Sequence, residues 1–294
     1  MDILKESIRN KKKLLYLQIG IISILFLILY YPIIFVMVKD WQINDNYSHG
    51  YLIPLIVLYM IWAIRKKIGD LEVNPNNWGV ILILIGFCQL MISRIGSEYF
   101  LQRISMIIVL FGILLFLAGN SITKRLSFPV LYLIFMIPIP AIIWNKIAFP
   151  LKLFASFLAS EIINSLGITI LRRGNILYLA NMTLEVVDAC SGLRSLTSLL
   201  ALSAAFAFFT SHSKPKKWLL FLSAIPIAIL TNIIRLTLTA GFASKYGEKI
   251  AEGFLHGFSG LMVFFLGLFL LYLFHIFLSK FEFMSFQAKK GQKK

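Results

Sequence analysis

Cys190, His256 and Arg235 supply a nucleophile, an acid–base group and a permanent cation. A thiol attacks a carbonyl as its thiolate, and a neighbouring imidazolium favours that form. The same imidazole can protonate a leaving amine, while a guanidinium suits a developing oxyanion or a substrate carboxylate. Brought together, the three groups would perform acyl transfer. Arg194 stands four residues after Cys190, on the same helical face one turn deeper. With Asp188 and with His49, in Tyr47-Ser48-His49-Gly50, it forms a second rank of candidates.

These residues sit in a chain that cannot hide its apolar surface in water. Its 294 residues are 59% hydrophobic and 14% charged, with mean hydropathy +0.84; soluble domains carry about 25% charged residues. The bilayer must therefore act as solvent. Apolar runs at 14–38, 51–64, 78–93, 100–118, 126–148, 190–210, 218–241 and 256–279 give about eight crossings. The fold class is an all-α integral membrane bundle. A basic segment at 1–13 precedes a single membrane domain at 14–279, and a basic tail fills 280–294. The first apolar run is too long for a signal peptide, so it reads as a retained helix.

Most Lys and Arg fall in alternate connections, including Lys11–Lys13, Arg65–Lys67, Lys214–Lys217 and the tail. That bias puts both termini of a multi-pass protein in the cytoplasm. The net charge of +16 is thus a topology signal, and no polar segment is long enough to suggest a nucleic-acid partner. On this count Cys190 opens the sixth helix and His256 the eighth, both at the outer end. Arg235 follows Trp218 by 17 residues, roughly 25 Å up a span of about 30 Å. Three helices then deliver the three groups to similar depth at the extracytoplasmic face.

Before the sixth helix, Lys152, Ser156, Ser160 and Glu161 give Leu151–Ile163 the pattern of an amphipathic interfacial helix. Asn175–Ala180 and Thr183–Val187 flank an Asn-led turn and suggest a β-hairpin leading into Cys190. Cys88, inside an apolar run, reads as a packing residue. His212, beside Lys214, reads as solvated and His275 as interfacial. Gly257-Phe258-Ser259-Gly260 resembles the surroundings of an intramembrane serine nucleophile. The only later histidine, His275, is roughly 24 Å along the same helix, so that reading fails. The histidines fall at different depths, with no cluster of metal-ligand spacing, so neither metal nor cofactor is expected.

Thr183 to Ser195, with Asp188-Ala189-Cys190-Ser191-Gly192-Leu193-Arg194 at its centre, resembles the cysteine block of the exosortases and archaeosortases. Asn232-Ile233-Ile234-Arg235 resembles their arginine block and His256-Gly257 their histidine block. Tyr47-Ser48-His49-Gly50 with Pro54, and Met136-Ile137-Pro138-Ile139-Pro140, are similar to further family segments. The similarity runs from about residue 40 to 275. It implies a prokaryotic membrane cysteine protease-transpeptidase with Cys190 as nucleophile, Arg235 as stabiliser and His256 as acid–base group. Its implied partners are membrane lipids and secreted proteins whose C-terminus carries a short motif (often Pro-Glu-Pro), a membrane helix and a basic tail. The processed protein would pass through an acyl-Cys190 intermediate to a lipid or glycan acceptor, or to water. The rival readings are a transporter, which would need polar groups at the midplane, and a non-enzymatic scaffold for envelope or exopolysaccharide assembly.

Overall fold

A computed structural model describes residues 2–180, 183–186, 192–247 and 254–291, with backbone alone for 2–16, 254–259 and 281–291. Two compact units meet in sequence at Ile139 and Pro140. The first holds α1 (Asp2–Ile43), a 3-10 segment (Asp45–Tyr51), α2 (Leu52–Gly69), α3 (Trp78–Ile95), α4 (Tyr99–Tyr132) and a 3-10 turn (Leu133–Met136). The second holds α5 (Ala141–Ser165), β1 (Ile170–Arg173), β2 (Ile176–Leu179), β3 (Thr183–Glu185), α6 (Leu193–Phe209), α7 (Lys214–Tyr246) and α8 (Phe254–Gly291).

Seven of these helical stretches are long and apolar enough to cross a membrane, and α6 is a shorter apolar helix. Their outward faces are hydrophobic: Leu25, Ile28, Leu84, Leu101 and Phe265 are all exposed. Only 17% of the most apolar window is buried in α1, against 50% in α7. The hydrophobic effect cannot drive lipid-exposed helices together, so small residues and hydrogen bonds carry the association. Gly79 on α3 and Gly112 on α4 fit this rule: a Cβ on either would lie within 3 Å of the other helix's backbone.

Two breaks organise the first unit. Gly119, with φ of 81°, divides α4 into arms 99–118 and 120–132 and forms a β-bridge with Asn74. The second break corrects the expected span 126–148. Pro138 and Pro140 each remove a donor and push the preceding residue out of the helical region; Ile137 accordingly adopts φ −86°, ψ 118°. The helix stops there and α5 starts afresh at Ala141. Residues 151–163 are therefore no separate interfacial helix, because they continue α5. The carbonyls freed at the break are satisfied by side chains. Trp41 Nε1 donates to Met136 O at 2.8 Å, Tyr47 Oη to Ile139 O at 3.2 Å, and His49 Nε2 bonds Phe135 O at 3.2 Å.

In the second unit the expected hairpin is present and gains a strand, forming an antiparallel sheet of order β1-β2-β3. One sheet face carries Ile170, Leu177, Leu179 and Val186. They pack with Ala155, Ala159 and Ile163 of α5 and with Ile233, Leu236, Ala240 and Ala243 of α7. The sheet is thereby fixed to the C-terminal half of α7, the part that carries Arg235.

Candidate active site

Two apolar layers align α6, α7 and α8. In one, Leu199, Ala224 and Ala228 pack with Leu196, Phe264 and Leu268. In the other, Ala207, Leu220, Leu271 and Leu278 pack with Phe206 and Phe274. The pairing order shows that each helix runs opposite to the next. From the first layer, α6 runs back to Gly192, α7 forward to Arg235 and α8 back to the turn containing His256. These advances are roughly 10, 10 and 12 Å at the helical rise. All three point away from the second layer. The helical backbone thus carries the cysteine, arginine and histidine segments to one end of a three-helix layer.

At that end the first two segments touch. Gly192, the residue preceding α6, has φ 76° and is buried. A Cβ built on it would lie 2.8 Å from Asn232 Cγ and 2.9 Å from Asn232 Nδ2. Only glycine satisfies both conditions, since a side chain would meet left-handed strain and a clash together. Asn232 is 1% exposed and lies one helical turn before Arg235, which is 9% exposed. Arg194, half-buried in the first turn of α6, feels Arg235 as a like charge. The two guanidinium groups bring fork-shaped donors to this corner, of the kind that suits a thiolate, an oxyanion or a carboxylate.

Cys190 and Asp188 lie outside the described residues, and for His256 the structure describes the helical backbone alone. His49 belongs to the first unit. A carbonyl oxygen only accepts, so the bond to Phe135 O places a proton on His49 Nε2. Asn232 is the contact that spacing alone did not single out. Its signal was its position three residues before Arg235.

The opposite end of the layer holds a correction. His212 is buried rather than solvated, and its Nε2 lies 3.0 Å from Nδ1 of His275. The two histidines therefore share one depth, and the Phe206 ring packs at a tilt against His275. The short connection between α6 and α7 draws His212 over α8, which linear spacing does not reveal. Lys216 Nζ donates to Leu278 O and Lys217 Nζ to Phe208 O at this end.

A family model described as transmembrane exosortase matches residues 41–273, which include the cysteine, arginine and histidine segments. No curated protein and no solved structure matches the chain. The chain belongs to the transmembrane exosortase family.

Proposed function

We propose that the protein is a membrane cysteine peptidase-transpeptidase that cleaves C-terminal sorting signals of secreted proteins. The contact between Gly192 and Asn232 carries the reading. It joins the segment two residues after Cys190 to the helix turn that ends in Arg235. In the proposed reaction the Cys190 thiolate attacks the scissile carbonyl and Arg235 stabilises the oxyanion. The carbon–nitrogen bond breaks and His256 protonates the departing amine. An acceptor hydroxyl or amine, or water, then displaces the thiolate from the thioester. The N-terminal end of α6 favours the anionic sulfur through its macrodipole.

We place the site at the extracytoplasmic face. Lys214, Lys216 and Lys217 cluster at the far end of the α6–α7–α8 layer, which the positive-inside rule assigns to the cytoplasm. The core contacts of α5 fall on the opposite, C-terminal half of α7. The substrates proposed are secreted proteins ending in a short motif, a membrane helix and a basic tail.

A tagged reporter with such a C-terminus, containing Pro-Glu-Pro, tests the reading. Wild-type protein should shorten it and accumulate an acyl-Cys190 adduct visible by mass spectrometry. Cys190→Ala should abolish both. Processing that persists in Cys190→Ala would remove the peptidase reading.

A further inference from the structure

The two edges of the sheet differ. On β1, Ile170 N–H points outward and is taken up by Asn164 Oδ1 of α5 at 3.3 Å. On β3 the register decides which groups face out. Val186 N–H donates to Asn175 O at 2.9 Å, and Leu184 lies opposite Leu177 in the same ladder. Antiparallel pairing alternates, so Leu184 and Val186 direct their backbone groups toward β2, while Thr183 and Glu185 direct theirs away. Among the described residues nothing pairs with that outward edge. Proteins ordinarily cover or disarm such an edge because it templates strand addition.

This edge is rigidly placed. Leu177 and Val186 are fully buried in the cluster containing Ile233 and Leu236, which flank Arg235. Glu185 precedes Cys190 by five residues, a tether of at most about 18 Å. The opposite sheet face, with Leu171 and Tyr178, is exposed.

We infer that the substrate polypeptide binds as an added β-strand on β3, its backbone bonded to Thr183 and Glu185, and is thereby led toward Cys190. The occupant is an extended peptide because the edge offers only main-chain donors and acceptors at a two-residue period. The inference rests on the reading of Cys190 as nucleophile.

The acyl-Cys190 adduct fixes the scissile bond in the reporter. Peptides spanning it, each with one amide N-methylated, then test the inference. Two amides two residues apart should each lower kcat/KM at least tenfold when methylated, with the amide between them changed less than twofold. Loss at no amide, or loss without alternation, overturns strand addition, including the case where a second copy of the chain occupies the edge.

On the protein side, Thr183→Pro and Glu185→Pro remove outward donors without taking a bond from β2. They should lower kcat/KM at least tenfold. Iodoacetamide labelling of Cys190 should be unchanged, measured in a Cys88→Ser background because Cys88 is exposed. Proline variants with wild-type kcat/KM overturn the inference. Failure of the unmethylated reporter to form any Cys190 adduct instead overturns the peptidase reading, and this inference with it.

Discussion

Gly192 and Asn232 meet with no room for a methyl group between them: a Cβ on Gly192 would fall 2.8 Å from Asn232 Cγ. This contact locks the start of α6 to the middle of α7. It fixes the sequence separation of 40 residues into a single local geometry, with Arg235 one turn further along.

Gly192→Ala should therefore disturb the site more than the volume of one methyl suggests. Left-handed backbone costs a non-glycine residue roughly 1–2 kcal/mol, and the clash adds to it. Reporter processing should fall at least tenfold. Adding Asn232→Ala removes the Cγ and Nδ2 contacts but leaves Asn232 Cβ 2.9 Å from the new methyl, so it should restore only a small part of the loss. Equal activity of Gly192→Ala and wild type, measured on the tagged reporter, would show that the contact is not required.

Arg194 and Arg235 should separate by the step they affect. Losing a donor to a developing oxyanion typically costs about 10²–10³ in kcat, so Arg235→Ala should show that loss with KM little changed. Arg235→Lys keeps the charge but loses the planar fork and should recover less than a tenth of wild-type kcat. Arg194→Ala removes a like charge beside Arg235 and should act mainly on KM. Steady-state kinetics of the two alanine variants on the reporter peptide decide the assignment.

Much of this arrangement could be read from residue types. Apolar run lengths gave the helical membrane class, and the order of the runs gave the antiparallel α6, α7 and α8 whose shared end carries Gly192, Arg235 and the helical backbone of His256. Three features were hidden for physical reasons. The stop at Pro138 and Pro140 was averaged away, because hydropathy over 126–148 does not register a lost donor or a restricted dihedral. Ile170–Arg173 joined the sheet because Leu177 and Leu179 needed a partner strand over α5, a tertiary demand. The His212–His275 bond joins residues 63 apart in sequence, and no periodicity encodes such a pair.

The ion pair between Asp40 and Arg103 offers a stability test in the first unit. Arg103 is 4% exposed and pairs with Asp40 at the end of α1. Removing one partner of a buried pair leaves an uncompensated charge, a loss of about 3–5 kcal/mol, whereas replacing both by apolar residues is often near neutral. Asp40 is itself more open to solvent, so Asp40→Asn should destabilise toward the lower end of that range. Asp40→Leu with Arg103→Leu should lie closer to wild type than Asp40→Asn. Thermal unfolding in detergent, followed by circular dichroism, reads both. A double variant less stable than Asp40→Asn would show that the pair contributes net stability.

His49 poses the sharpest choice between holding structure and moving protons. Its Nε2–H bonds Phe135 O where Pro138 and Pro140 interrupt the helix, beside the matching bonds from Trp41 and Tyr47. A buried carbonyl left without its donor costs about 1–3 kcal/mol. His49→Ala should therefore lower the unfolding temperature by several degrees. His49→Gln retains an N–H donor of similar reach but no titrating nitrogen. If His49 serves the break alone, His49→Gln should restore both stability and reporter processing to within about threefold of wild type. A variant stable as wild type yet inactive on the reporter would instead assign His49 to the chemistry.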